Sequence, residues 1–199
     1  MKSANAIIAI SDERSDRRHL TVMMVGKVRG NRGEFPCVVK DVSQRGLKAR
    51  FPYPQVVGER LEISLRDRPA RGATVRWVDG MHAGVEFDAP IDVKTLIENE
   101  AVDRPYRAPR FDCGQLATLM LAEGCRSIEL IDVSLGGAKL GITEEFPVQP
   151  PGRWATLILP GSDPRSGTIC WSRGGRLGFR FAAALPLDVL AALLATSDH

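Results

Sequence analysis

The stretch Lys40-Asp41-Val42-Ser43-Gln44-Arg45-Gly46 returns about ninety residues later as Ile131-Asp132-Val133-Ser134-Leu135-Gly136-Gly137. Each copy reads Asp-x-Ser-x-x-Gly and follows a hydrophobic run. Aspartate and serine hydrogen-bond to nearby backbone in tight turns, and glycine takes a positive φ or lets another group approach its backbone. Each stretch alone is best explained as a turn between two strands, and a ligand site requires further residues.

The chain also repeats downstream of this loop. Thr74-Val75-Arg76-Trp77 matches Thr168-Ile169-Cys170-Trp171, and Gly84-Val85-Glu86-Phe87 matches Gly178-Phe179-Arg180-Phe181 at the same offset. The valine and tryptophan of the first stretch alternate with its arginine, the period of a half-buried strand. Because the apolar positions of the two copies coincide in phase, both are predicted to bury the same faces. The sequence therefore predicts two copies of one domain.

Short alternating segments predict an all-β fold, with several strands in about eighty residues of each half, a size that suits a small barrel. Residues 26–33, rich in glycine and arginine, are predicted to form a turn. Helices are predicted after each barrel, over 91–97 and, with a proline in the first turn, over 186–196. The predicted strands are 20–25, 35–42, 47–51, 61–65, 75–77 and 85–87 in the first half and 116–121, 128–131, 154–159, 167–171 and 177–181 in the second.

The composition excludes several classes of protein. The chain has 199 residues, 44% of them hydrophobic, and a net charge of +3, which is mild for a protein that binds nucleic acid. The four cysteines form no Cys-x-x-Cys pair, and with three histidines no metal-ligand spacing exists. No apolar stretch is long enough to span a bilayer, so a cytoplasmic location is expected. No nucleophile motif or phosphate-loop lysine is present, so no enzymatic activity is expected.

Arginines gather upstream of each loop. Arg14, Arg17 and Arg18 precede the first copy, and Arg104, Arg107 and Arg110 precede the second. A guanidinium is a planar fork of donors that grips phosphate, reads the edge of guanine and stacks on a flat base. An aspartate and a serine on a neighbouring loop would complement a purine edge. Together the arginines and the loop favour an anionic ligand that carries guanine bases.

Arg-x-x-x-Arg, then a strand, then Asp-x-Ser-x-x-Gly within a small β-barrel resembles the PilZ domain, a family of bacterial receptors for cyclic di-GMP. The resemblance implies two tandem six-stranded antiparallel barrels, each followed by a short helix, and a nucleotide ligand rather than a cofactor. The implied organisation is an arginine arm over residues 1–18, a first barrel over 19–100, a linker or second arm over 101–110, and a second barrel over 111–199.

Transferred to this sequence, the family motif implies different sites in the two copies. In the first copy it is complete, with ligand-binding residues Arg14, Arg17, Arg18, Asp41, Ser43 and Gly46. In the second copy the loop matches at Asp132, Ser134 and Gly137, but the arm offers only Arg107 and Arg110. The position four before Arg110 is Tyr106. The first site is therefore expected to dominate, and the second to be weaker or a structural relic.

The composition of the arm before Arg18, charged and with few apolar anchors, suggests how a signal is relayed. Ligand is expected to draw the charged N-terminal arm across the first barrel, ordering it and changing a surface that binds an unidentified protein partner. The alternative is a ligand-independent interaction module built from degenerate PilZ domains. Nucleic-acid binding is less favoured, because aromatic side chains do not interleave with the basic clusters at 27–32 and 173–180.

Overall fold

The computed structural model describes residues 20–66, 68–98, 108–142 and 147–195. These residues form two compact units that divide between Pro109 and Arg110. The first unit contains six strands, β1 (Leu20–Gly30), β2 (Gly33–Ser43), β3 (Gly46–Arg50), β4 (Arg60–Leu65), β5 (Arg71–Asp79) and β6 (His82–Phe87), followed by the helix α1 (Val93–Glu98). The second contains β7 (Phe111–Leu121), β8 (Gly124–Ser134), β9 (Gly137–Ile142), β10 (Trp154–Ile158), β11 (Arg165–Arg173) and β12 (Arg176–Phe181), followed by α2 (Leu187–Ala195).

Each unit is a closed antiparallel barrel, as predicted. The strand order is β1-β2-β3-β6-β5-β4 in the first barrel, and β7-β8-β9-β12-β11-β10 repeats it in the second. The barrels close where β1 pairs with β4 and β7 pairs with β10. Among the twelve described strands, closure leaves none at a free edge of a sheet, which removes the usual route to edge-to-edge association.

Alternating side chains fill each barrel. In β4 the buried residues are Leu61, Ile63 and Leu65, with the intervening side chains facing outward. Phe51 is fully buried in the first barrel and Phe111 in the second, each within a separate hydrophobic core. Neither helix among the described residues is long and apolar enough to cross a membrane.

The predicted turn over 26–33 is wrong. β1 continues through Gly26 to Gly30, and the turn is confined to the residues before Gly33, which has φ 80°. Gly26 faces the interior where the barrel closes, and a Cβ there would lie 3.0 Å from the Cys37 sulfur and 3.1 Å from Leu65. Glycine at this point thus serves close packing inside a strand.

The predicted strand list also lacked β9. This strand begins at Gly137, the last residue of the second Asp-x-Ser-x-x-Gly loop, and pairs with both β8 and β12. It is the counterpart of β3, which the sequence did predict. Its small and glycine residues, Gly-Ala-Lys-Leu-Gly-Ile, conceal the alternation that identifies a strand.

Candidate functional site

A β-bulge in each barrel turns the aspartate of the loop outward. In β2 the pairing with β3 shifts by one residue between Val39 and Asp41. Simple alternation would place these two side chains on the same face. The extra residue reverses the phase, so that Val39 and Val42 are buried while Asp41 lies on the outer surface. The same shift occurs in β8 between Leu130 and Asp132.

A further bulge turns a tryptophan outward in each barrel. The register shifts between Val75 and Trp77 in β5, and between Ile169 and Trp171 in β11. Val75 and Ile169 are fully buried, whereas Trp77 is 42% exposed and Trp171 is 37% exposed. The prediction that valine and tryptophan share one buried face is therefore wrong, because periodicity alone cannot detect an inserted residue.

In the first barrel, Asp41 and Trp77 lie on one transverse row of the outer surface. Neighbouring strands pair Asp41 with Lys48, Lys48 with Gly84, and Gly84 with Trp77. The indole lies across Gly84, where a Cβ would come within 2.0 Å of the indole nitrogen. The ammonium nitrogen of Lys48 lies 5.7 Å from the centre of the same indole ring. These four residues are called the first row.

The second barrel carries the same arrangement. Asp132, Lys139, Gly178 and Trp171 are paired in the same order across β8, β9, β12 and β11. A Cβ on Gly178 would come within 2.1 Å of the Trp171 indole nitrogen. These residues are called the second row. The sequence had assigned the aspartates to a site, but it had not assigned the lysines or the tryptophans.

Each row places three different functional groups along one line of the surface: a carboxylate, an ammonium and an indole. A carboxylate accepts the N–H donors of a purine edge, an ammonium attracts phosphate, and an indole offers a face on which a base stacks. Strands lie about 4.8 Å apart, so a row of four residues spans roughly 14 Å from aspartate to tryptophan. That length fits a ligand of nucleotide size. Among the described residues, no three histidine, cysteine or acidic side chains are grouped to hold a metal ion.

The serine and glycine of each loop have structural contacts of their own. The Ser43 hydroxyl donates to the Gly46 carbonyl at 3.2 Å, and the Ser134 hydroxyl donates to the Gly137 carbonyl at 3.1 Å. A Cβ on Gly46 would lie 2.2 Å from the Val85 carbonyl oxygen. The fold therefore accounts for these serines and glycines whether or not they also contact a ligand.

The arm arginines are only partly described. Arg14, Arg17, Arg18 and Arg107 lie outside the described residues. Arg110 lies inside them, and its guanidinium donates to a carboxylate oxygen of Asp132. The Asp132 side chain is only 16% exposed, while that of Arg110 is 55% exposed. In the second barrel the structure thus brings together one arm arginine and the loop aspartate.

Solved structures similar to this chain include several named for cyclic di-GMP. PlzA of Borreliella burgdorferi, in complex with c-di-GMP, is 12% identical, with a TM-score of 0.42 over 90% of this chain and 88% of that one. The Bacillus subtilis inhibitor of motility MotI/DgrA is 11% identical, with a TM-score of 0.37 over 87% and 92%. YcgR of Escherichia coli, in complex with c-di-GMP, is 12% identical, with a TM-score of 0.30 over 87% and 81%.

A family model gives the stronger result. No curated protein matches the chain. The model for the PilZ domain, however, matches it twice, over residues 12–101 and 106–196. The two matches contain one barrel each, with the first row inside the first match and the second row inside the second. The chain therefore belongs to the PilZ domain family and is a tandem pair of PilZ domains.

Proposed function

We propose that the chain is a receptor for cyclic di-GMP and that each row forms part of a binding site. The contact between Arg110 and Asp132, the aspartate of the second row, carries this proposal. It joins the two halves of the family motif on the outer surface, next to a lysine and an exposed tryptophan. Cyclic di-GMP has two guanines and two phosphates, so it presents purine edges, flat bases and anionic oxygens to these groups.

The complete motif supports the first barrel as the principal site. Arg14 and Arg18 have the Arg-x-x-x-Arg spacing, and with Arg17 they would supply the cationic side of a site whose described part is the first row. Binding would draw these arginines toward Asp41 and order the arm before His19. Limited proteolysis tests this step, because saturating cyclic di-GMP should protect the arm. Unchanged cleavage would remove the arm from the mechanism.

Calorimetric titration of the full chain with cyclic di-GMP tests the receptor itself. Arg18→Ala should weaken binding at the first site, since charge-assisted hydrogen bonds contribute about 1.5–3 kcal/mol each. Trp77→Ala should remove a stacking surface worth about 1–3 kcal/mol per base, equivalent to roughly 5- to 150-fold in affinity. Trp154→Ala is the matched control, because Trp154 is 66% exposed but lies in β10, outside both rows. Absence of binding by the folded wild type would refute the proposal.

One observation favours the alternative function, a protein-interaction module. Trp154 pairs with Thr168 in the second barrel, and Arg60 pairs with Thr74 at the same place in the first. Arg60 is neutralised there by Asp88 at 2.6 Å, whereas Trp154 exposes an indole to solvent. Exposed aromatic surface is characteristic of protein interfaces. If ligand does not bind, this face of the second barrel is the first place to seek a partner.

A further inference from the structure

One position next to the glycine of each loop has opposite charge in the two barrels. In the first barrel, Gly46 is the cross-strand partner of Glu86 in β6. In the second barrel, Gly137 is the partner of Arg180 in β12. Both side chains are exposed on the outer surface, two residue pairs along from the corresponding row. Beside the same loop, the first barrel therefore has a carboxylate and the second has a guanidinium.

The neighbouring side chain increases this difference. The Glu86 carboxylate accepts from the Arg76 guanidinium at 2.6 Å, so these two charges satisfy each other. The residue in the place of Arg76 is Cys170 in the second barrel. Within the part of the chain that the structure describes, no ion pair involves Arg180. A ligand at the first barrel meets a neutralised pair, and a ligand at the second meets an available guanidinium.

The cross-strand pair at the hairpin, on the opposite side of each row, differs in the same direction. His82 and Asp79 are partners in the first barrel, and Arg176 and Arg173 are partners in the second. Both arginines are exposed, and neither belongs to an ion pair among the described residues. These two positions are thus more cationic in the second barrel, whereas the first barrel has Arg45 and Arg50 where the second has Gly136 and Gly141. The two barrels therefore differ in where their cations lie, with Arg180 beside the loop glycine of the second barrel.

We propose that Arg180 is a ligand-binding residue of the second barrel and supplies the cationic group that its arm lacks. Where the first copy has Arg14 four residues before Arg18, the second has Tyr106 four before Arg110. Arg180 is the cross-strand partner of Gly137, which in turn pairs with Ser134, so a side chain of this length can extend over the loop. A guanidinium there grips phosphate or a guanine edge. The second barrel is on this basis a working site for the same class of ligand, a cyclic dinucleotide, and this inference rests on the proposed function.

Indole N–H signals distinguish the two barrels in the full chain. The protein contains three tryptophans, so ¹⁵N-labelled protein gives one signal from the first row, one from the second row and one from Trp154. Each is assigned by a Trp→Phe substitution. Titration with cyclic di-GMP should shift the Trp77 and Trp171 signals and leave the Trp154 signal in place.

Arg180→Glu, which installs the charge of the first barrel, is the decisive variant. In this variant, the cyclic di-GMP concentration at which the Trp171 signal has shifted halfway should rise at least tenfold. The corresponding concentration for Trp77 should not change. Arg126→Glu is the matched control, because Arg126 is also an exposed arginine of the second barrel but lies at the far end of β8. An unaltered Trp154 signal in the free variant shows that the barrel is folded.

The other outcomes are equally informative. If Trp171 responds equally in the wild type and in Arg180→Glu, Arg180 does not bind the ligand and the inference is overturned. If only Trp77 responds in the wild type, the second barrel is not a site. The inference then fails together with the role proposed for the second row, while a receptor that binds through the first barrel stands. If neither signal moves and calorimetry detects no binding, the proposed function fails as well.

Discussion

The glycine that ends the second loop offers the sharpest test of the fold argument. A Cβ added to Gly137 would lie 2.3 Å from the backbone carbonyl oxygen of Phe179 in β12. Carbon and carbonyl oxygen approach to about 3.3 Å at their closest in ordinary sheets, so β12 would have to retreat by roughly 1 Å. Backbone cannot rotate away as a flexible side chain does. Gly137→Ala therefore forces apart two neighbouring strands of the barrel, β9 and β12.

The expected loss follows from the cost of overpacking. Inserting a methyl group into a well-packed site costs about 1–3 kcal/mol. For a unit of this size, each kcal/mol lowers the melting temperature by about 4–8 °C. Differential scanning calorimetry of the full chain should accordingly show the transition of the second barrel lowered by roughly 4–24 °C. Gly46→Ala should do the same in the first barrel, where the corresponding distance to the Val85 carbonyl oxygen is 2.2 Å.

The neighbouring glycine is the control. A Cβ on Gly136 would meet no atom within 4 Å, and Gly136 does not have a positive φ. Gly136→Ala should therefore change stability by no more than about 0.5 kcal/mol, as exposed substitutions usually do. If Gly137→Ala melts at the temperature of Gly136→Ala, the close approach to β12 does not explain why the motif ends in glycine.

Two further predictions concern titratable groups. Burial raises the pKa of the Cys37 thiol from 9.0 to about 12, although a backbone hydrogen bond from Gly26 acts in the opposite direction. The stability that depends on the protonated thiol is therefore fully present below pH 9.0 and is lost as the pH rises toward 12. Cys37→Ala should flatten the decline in melting temperature over that range, and an unchanged profile would contradict this assignment. Asp92 accepts hydrogen bonds from the Thr95 hydroxyl and from the backbone N–H groups of Lys94 and Thr95 at the start of α1, and these lower its pKa. The stability that this helix cap contributes should be present above the usual aspartate pKa and should decline as the pH falls below it. At pH 7, Asp92→Ala should lower the melting temperature, but Asp92→Asn should not, because asparagine also caps a helix.

The sequence was sufficient for the architecture, because alternation and internal repetition are both visible in one chain. Eleven of the strand segments followed from apolar spacing, and the doubled loop fixed how the two halves correspond. β9 was missed because glycine and alanine occupy positions where a larger side chain would reveal the period. The turn over 26–33 was misplaced because glycine marks close packing at Gly26 and a positive φ at Gly33. Composition does not distinguish these two uses of glycine.

The candidate site was less accessible from sequence, because it depends on bulges. Val75 and Trp77 are two residues apart, and a spacing of two predicts a shared face. Only the pairing register shows that the intervening arginine is an inserted residue. One signal was available in the sequence, since each tryptophan stretch precedes a stretch that begins with glycine, Gly84 or Gly178. Those glycines leave room for the indole, so the pair marks an aromatic side chain lying across a strand.

The duplicated barrels separate residues that the fold needs from residues that it does not. Ser134 and Gly137 are explained by a hydrogen bond and a close contact within the barrel. The fold offers no such reason for Trp171, which a bulge holds outward and leaves 37% exposed, at the same place as Trp77. Burying either indole would contribute more to stability than half-exposing it. On our proposal, a ligand that covers the row accounts for an arrangement that costs buried area in both barrels, and the exchange of Glu86 for Arg180 would then set how each barrel holds that ligand.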